Sequence, residues 1–452
     1  MSQVKLFSSS GGARVAKRSG RQKKQKVKKP LKTLAIWLLV ILCLEGLYFF
    51  CIYTNNSFVK KWRTIYINTA MDTMRHQWLA TYFIPKDVID EVRYEYGLVK
   101  AGTVGKESTW GRTDPAPADQ TPSTSNDNVT LIDPNVTHET DQPDSEELTQ
   151  EELEKQAEEN FYSVFWELDR TSMETYLAEH PDTLANGWDH IYINEAGFDD
   201  EGTSIQSTFG EQVLAIDAYN GVLLLRISGK GYRGVLAVGK DPSRLSIEMA
   251  TTLGTAGQLS GTIAEAHNGV LAMNANGFLD PNGAGNGGLL AGYSMSNGKA
   301  YGDHFSAYAY KRIELHEDDL FYIKDALSPV SEDCTDAAEF TPALIVDGKK
   351  IMDDYWTGEQ PRACIGQSEK YEILMLVIEG RYPLEGILGT SVNNCSEILL
   401  QHKCMQAINL DGGSSAMLWF DGEYVTQSSS SPLRYTGGRP LPNAWVYKKA
   451  DS

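Results

Sequence analysis

Apolar and polar positions divide this chain into stretches of different period. Residues 33–53, TLAIWLLVILCLEGLYFFCIY, form one apolar run interrupted only by Glu45, Gly46 and flanking threonine-type groups. About 20 apolar residues cross the hydrocarbon core of a bilayer as a helix. The run exceeds the 7–15 apolar residues of a signal peptide and no A-x-A-like site follows it, so it predicts a retained transmembrane helix. Residues 54–100 carry aromatics and aliphatics at helical spacing, which predicts a membrane-proximal helical segment. From 101 to 159 this periodicity gives way to Thr, Ser, Asp, Pro and Glu, as in DPAPADQTPSTSNDNVTLIDPNV. So little apolar surface cannot build a core, and the stretch is expected to be a disordered spacer that holds the following domain away from the membrane.

Past residue 160 the periods become short. FYSVFWELDRTSMETYLAEHPD predicts one or two amphipathic helices, and QVLAIDAYNG, VLLLRISG and RGVLAVGKDPSRLSIEMA predict strands separated by Gly or Asn turns. TAGQLSGTIAEAHN and NNCSEILLQHKC read as helices, YEILMLVIEGR as a buried strand, and AINLDGG with SAMLWFDGEYV as a strand pair. There is no repeat of fixed period. The irregular mixture predicts an α+β domain over 160–452, a mixed β-sheet with flanking helices.

Charge sharpens the topology. Of 41 Lys+Arg, eleven fall in residues 1–32, where there is no acid, and Lys23, Lys24, Lys26, Lys28, Lys29 and Lys32 directly precede the apolar run. The positive-inside rule then makes 1–32 a cytoplasmic tail, 33–53 a single pass through the cell membrane, and the C-terminal domain extracellular. The remaining chain carries all 60 acids, a balance that repels a phosphate backbone and excludes broad nucleic-acid binding. Among the six cysteines, Cys334, Cys364, Cys395 and Cys404 lie in the outer domain without C-x-x-C spacing, which disfavours zinc and leaves disulfides and buried thiols as equal expectations.

Three stretches are too polar and glycine-rich to serve as core. MNANGFLD places Asn276 and Gly277 at the end of an apolar strand. PRACIG, followed by VIEGR, places Arg362, Glu379 and Arg381 at strand ends, where Glu379 and Arg381 alternatively form a structural ion pair. AINLDGGSSAML runs Asn409 and Asp411 into Gly412, Gly413, Ser414 and Ser415. Its glycines allow close backbone approach and its hydroxyls donate or accept, although on its own it also fits a tight hairpin or a metal loop. A serine nucleophile is a weak reading without G-x-S-x-G.

Taken together, the three stretches resemble the phosphodiester glycosidase family. The resemblance runs from about Gln212 to Val446, with NLDGGSS as its most specific piece and Arg439 followed by Asn443 as its last. The N-terminal part is similar to membrane-anchored bacterial members. The resemblance implies hydrolysis between a sugar's anomeric carbon and a phosphodiester oxygen. Such a reaction calls for a carboxylate beside the cationic carbon, with Asp411 and Glu379 as candidates. It also calls for bidentate cations on the phosphate, with Arg381, Arg362 and Arg439 as candidates. Asn276, Gly277, Asn409, Gly412, Gly413, Ser414 and Ser415 then line the substrate, and His304 is a further candidate. No cofactor is evident, although Asp411, Asp280 and Asn276 offer hard oxygens to a Ca²⁺ ion. Expected partners are the bilayer and a sugar-phosphate or surface polysaccharide, with no nucleic acid. A carbohydrate-binding or exopolysaccharide assembly protein on the same fold is the alternative.

Overall fold

The computed structural model describes residues 29–73, 76–110, 149–198, 200–280, 285–306, 309–352, 357–429 and 438–450. Most of the basic tail and residues 111–148 of the expected spacer lie outside the described residues. The chain divides into two units, Met1–Val59 and Lys60–Ser452.

The first unit contains helix α1 (Lys29–Tyr53). Within it, Lys32–Tyr53 spans 22 residues at a mean hydropathy of 2.4, long and apolar enough to cross a membrane. Its large side chains, including Trp37, Leu42 and Phe49, are exposed, and no polar face interrupts them.

The second unit opens with the residues of α2 (Ser57–Met71) from Lys60 onward, then α3 (Trp78–Thr81) and α4 (Lys86–Ala101). Two amphipathic helices follow, α5 (Gln150–Val164) and α6 (Arg170–Glu179). Thr149 and Glu152 close a capping box at the start of α5, and the Asp169 carboxylate accepts from the Ser172 amide to start α6. The Asp169 cap falls within the stretch read as amphipathic helix, whereas α5 starts inside the expected spacer, where its capping box fixes the start locally. Helices α7 (Ser260–Ala266) and α8 (Val392–Gln401) complete the set.

The strands form a nine-stranded sheet, two five-stranded sheets and a two-stranded ribbon, and every pairing between described strands is antiparallel. The α+β class holds. The nine-stranded sheet is buried on both faces, which explains the unbroken apolar run of its Ile373–Glu379 strand. Ile373, Met375 and Val377 face a core shared with the smaller sheets, where Phe321, Met273 and Trp445 pack. Leu374, Leu376 and Ile378 face a second core closed by Phe165 just past α5, Met173 of α6, Leu399 of α8 and Tyr96 of α4. The period of two therefore sorts one strand between two cores.

Residues 103–110 are bonded along this unit. The Ser108 amide donates to the Ile323 carbonyl at 2.9 Å, and the Thr109 amide to Asp347 Oδ2 at 2.9 Å. The four cysteines of this unit are buried free thiols. Burial pushes the Cys404 thiol up to about 12, which leaves it inert as a nucleophile.

Candidate active site

The expected pairing of the AINLDGG and SAMLWFDGEYV strands does not occur. The Cys404–Asn409 strand pairs with Arg362–Ser368 in the nine-stranded sheet, whereas Leu418–Phe420 pairs with Gly269–Asn274 in a five-stranded one. Alternation shows that a strand is buried but leaves its partner open, and here each strand found a distant one. The connection 410–417 therefore passes from one sheet to another, and Asp411 sits on that crossing instead of in a hairpin.

Two glycines permit this path. A Cβ on Gly412 would lie 2.5 Å from the Pro361 carbonyl oxygen, and one on Gly413, at φ +63°, would lie 2.9 Å from Arg381 Nη1. The glycine pair thus brings the loop against the protein's own strand start and arginine. The Ser415 hydroxyl stands beside the Asp411 carboxylate and favours its charge, and Asn274 Nδ2 donates to the Asp411 carbonyl at 2.8 Å. Across the crossing stands Gly277, whose would-be Cβ lies 3.9 Å from Asp411 Cβ and Cγ.

Arg439 and Arg381 bear on this carboxylate, and Arg362 bears on Arg381. Arg362, buried at the start of its strand, donates from Nε to the Thr390 carbonyl at 3.0 Å and from Nη2 to the Gly358 carbonyl at 2.6 Å. Arg381 sits at φ +65°, a left-handed conformation that costs a side-chain-bearing residue on the order of 1–2 kcal/mol. Its Nη2 reaches Gln360 Oε1 at 3.5 Å. Arg439 donates to Asp280 Oδ2 at 2.9 Å and to Ser414 Oγ at 3.4 Å, with its guanidinium 4.3 Å from the Phe278 ring centroid. Among the described residues none of the three closes an ion pair on Asp411.

The electrostatics follow from burial. Desolvation raises the Asp411 carboxyl above its ordinary range, against the Ser415 hydroxyl and the Arg439 and Arg381 charges. The Arg381 guanidinium is lowered, chiefly by burial and then by Arg362, with Asp411 opposing. Asn274 Oδ1, Asn409 Oδ1 and Gln360 Nε2 are buried without a hydrogen-bond partner among the described residues, as is Gln427 Nε2 beside Arg233 and Glu379. Buried polar atoms are paired in the great majority of cases, so a group of them beside a carboxylate and three arginines is a polar surface suited to a ligand.

Several expected site residues have other commitments. Glu379 takes Arg233 Nε at 2.7 Å on one oxygen and the Gln427 amide at 2.9 Å on the other, so its ion-pair partner is Arg233, directly opposite in the paired strand, and not Arg381. Asn276 spends its whole amide inside the protein, accepting from Asn443 Nδ2 at 3.0 Å and donating to the Tyr293 carbonyl at 3.0 Å. Asn409 donates to the Thr341 carbonyl at 2.9 Å. His304 is held by Glu339 at 2.5 Å and stacked on Tyr293, at the end of a buried charge chain through Arg312, Glu314 and His316. No histidine is hydrogen bonded to Ser414 or Ser415 among the described residues. Of the candidate Ca²⁺ ligands, Asp280 is paired with Arg439 and Asn276 is spent internally. No group of three or more His, Cys, Asp or Glu among the described residues suits a metal ion.

The residues that sequence reasoning missed are Arg233, Gln360, Gln427 and Phe278. Phe278 lies in the MNANGFLD stretch without having been assigned a role, whereas Arg233, Gln360 and Gln427 belong to no motif and are brought in only by strand pairing or a hydrogen bond.

Comparison with known proteins bears on the same residues. In structure the chain is similar to the zebrafish N-acetylglucosamine-1-phosphodiester alpha-N-acetylglucosaminidase catalytic domain auto-inhibited by its pro-peptide, at a TM-score of 0.41 and 15% identity over 51% of this chain and 82% of that one. It is also similar to a hypothetical protein from Synechocystis, at a TM-score of 0.35 and 15% identity over 54% of this chain and 65% of that one. No curated protein matches it in sequence. The family model of the phosphodiester glycosidases matches residues 267–448, a span that includes Gly277, Arg362, Arg381, Asp411 and Arg439. It begins after the strands at 212–249 that the motif resemblance had included. Over residues 267–448 the chain carries a phosphodiester glycosidase domain.

Proposed function

We propose that this protein hydrolyses the bond between a sugar's anomeric carbon and a phosphodiester oxygen, on cell-surface glycopolymers or exopolysaccharide outside the membrane that α1 anchors. The observation that carries the reading is the approach of Arg381 and Arg439 to an Asp411 on which neither closes, with the Arg362 charge beside Arg381. Phosphate binding would spread charge over the guanidinium forks, and the departing phosphate monoester needs that stabilisation more than it needs a proton. Asp411, aligned by Ser415 and Asn274, would stabilise the cationic anomeric centre or attack it. Arg439, stacked on Phe278 and bonded to Ser414, would set one edge of the phosphate seat. Glu379, closed by Arg233 and the Gln427 amide, would support the strand end that presents Arg381.

The outward placement rests on the basic residues before the apolar helix. Protease added to intact cells should remove the domain and spare the tail. The activity is tested by incubating the full chain, in detergent, with benzyl esters of hexose 1-phosphates and measuring free reducing sugar. Release that disappears in Asp411→Asn supports hydrolysis. Saturable binding with no release from any hexose supports the carbohydrate-binding alternative instead.

A further inference from the structure

The helices that follow the apolar segment reach the arginines through one short loop. Arg362 Nη2 donates to the Gly358 carbonyl at 2.6 Å, the closest of its hydrogen bonds. Gly358 is itself pressed on α2, since a Cβ there would lie 2.6 Å from the Thr69 amide nitrogen and 2.9 Å from the Asn68 carbonyl carbon. The next residue, Glu359, donates its amide to Thr69 Oγ1 at 3.1 Å. The one after that, Gln360, presents Oε1 to Arg381 and exchanges backbone bonds of 3.2 and 2.9 Å with Thr390, whose carbonyl is the second acceptor of Arg362. Three consecutive residues therefore join α2 to two of the three arginines.

Helix α2 is in turn fixed. Asn68, with no exposed surface, accepts from Arg93 Nη1 at 3.2 Å, and Arg93 also pairs with Asp72 at 2.5 Å. Lys60 pairs with Glu95 at 3.0 Å, which ties α2 to α4 at a second point. At the far end of α4 the chain continues into residues 103–110 and their bonds to Ile323 and Asp347. The Arg362 charge also reaches α4, where it partly offsets the burial that pushes the Tyr96 phenol up to about 12.

We propose that the helical segment 60–101, acting through Thr69 on Gly358 and Glu359, is a positioning element for the arginines that would hold phosphate, and so belongs to the working enzyme and not to a stalk. The proposal rests on the hydrolase reading above. Thr69 and Gly358 are positioning residues, because they act on substrate only through Arg362 and Arg381. A domain cut at residue 160 would lose this support even where its sheets formed.

The test uses the full chain in detergent with Thr69→Val, Thr69→Ser and Gly358→Ala. Each is measured for KM and kcat on a benzyl hexose-1-phosphate diester, for affinity toward inorganic phosphate by calorimetry, and for thermal midpoint. Thr69→Val removes one acceptor at constant shape and should raise KM and the phosphate Kd about fivefold, the effect of one net hydrogen bond. Its kcat and thermal midpoint should move little, and Thr69→Ser should restore wild-type binding. Gly358→Ala should weaken phosphate binding more strongly. Unchanged phosphate affinity in Thr69→Val overturns the proposal, as does a loss that tracks the folded fraction or persists in Thr69→Ser. Phosphate binding without sugar release in the wild type defeats the hydrolase reading alone, and the phosphate titrations still decide the positioning. A wild type that binds no phosphate defeats both.

Discussion

Glu379 and Asp411 end strands of the same sheet, two strands apart, and burial raises both carboxyls. Their surroundings differ. Glu379 is closed by Arg233 on one oxygen and a backbone amide on the other, as a structural charge is. Asp411 has one hydroxyl beside it and feels two arginine charges that do not close on it. Arg381 shows the same openness from the cationic side, held by a single 3.5 Å bond in a strained backbone. The contrast shows that proximity to opposite charge does not mark a reactive group. A reactive group is one whose hydrogen-bonding capacity is left available.

The largest test of this contrast is Asp411→Asn, which should lower kcat by about 10³-fold, the effect of deleting one well-placed electrostatic stabiliser. The folded protein should persist, as a thermal melt run beside the kinetics will show. Near-normal kcat in a folded Asp411→Asn would move the catalytic role to Glu379.

Next in size is Arg381→Lys. It keeps the charge and loses the planar fork, so KM should rise about tenfold while any fall in kcat remains smaller. An aryl glycoside, whose leaving group carries no phosphate, should be affected less. Equal losses on both substrates would show that Arg381 supports the fold and not the phosphate.

Glu379→Gln should separate the two carboxylates from the other side. It leaves Arg233 with Glu385 as its remaining ion-pair partner, and because Arg233 is itself about one-third exposed the cost should be about 2 kcal/mol, below that of a fully buried pair. Activity per folded molecule should stay within about twofold, since the reacting groups keep their positions. Chemical denaturation and active-site titration together measure both quantities.

The smallest effect concerns pH. Asp411 must be ionised to act, and its folded pKa is raised, so kcat should fall on acidification at a pH above the ordinary Asp value of about 3.9. Stability runs the opposite way. A carboxyl with a raised folded pKa binds its proton more tightly when folded, so its stabilisation is complete below the unfolded value and is lost as pH rises through the folded one. Asp411→Asn should therefore melt higher than wild type at neutral pH and lose that advantage in acid. Equal melting at both pH values would mean that the site leaves the carboxylate as well solvated as water does.

Much of this was readable one residue type at a time. The apolar run of α1 shows its length and charge flanks directly, and the alternation over 373–378 matches two buried faces. The capping signals at Thr149 and Asp169 act within three residues, although the first lies in the stretch read as spacer, where low apolar content hid the helix. Gly412-Gly413 announced a close backbone approach, which the fold makes to Pro361 and Arg381. The partners were not readable in this way. Arg233 is 146 positions from Glu379, and Thr69 is 290 positions from Glu359. A period specifies which face of an element is buried, but not which of several apolar faces covers it. The choice is made by packing the whole set of elements at once. That packing closed Glu379, left Asp411 open, placed the glycine loop across two sheets, and drew the first helices of the second unit in behind the arginines.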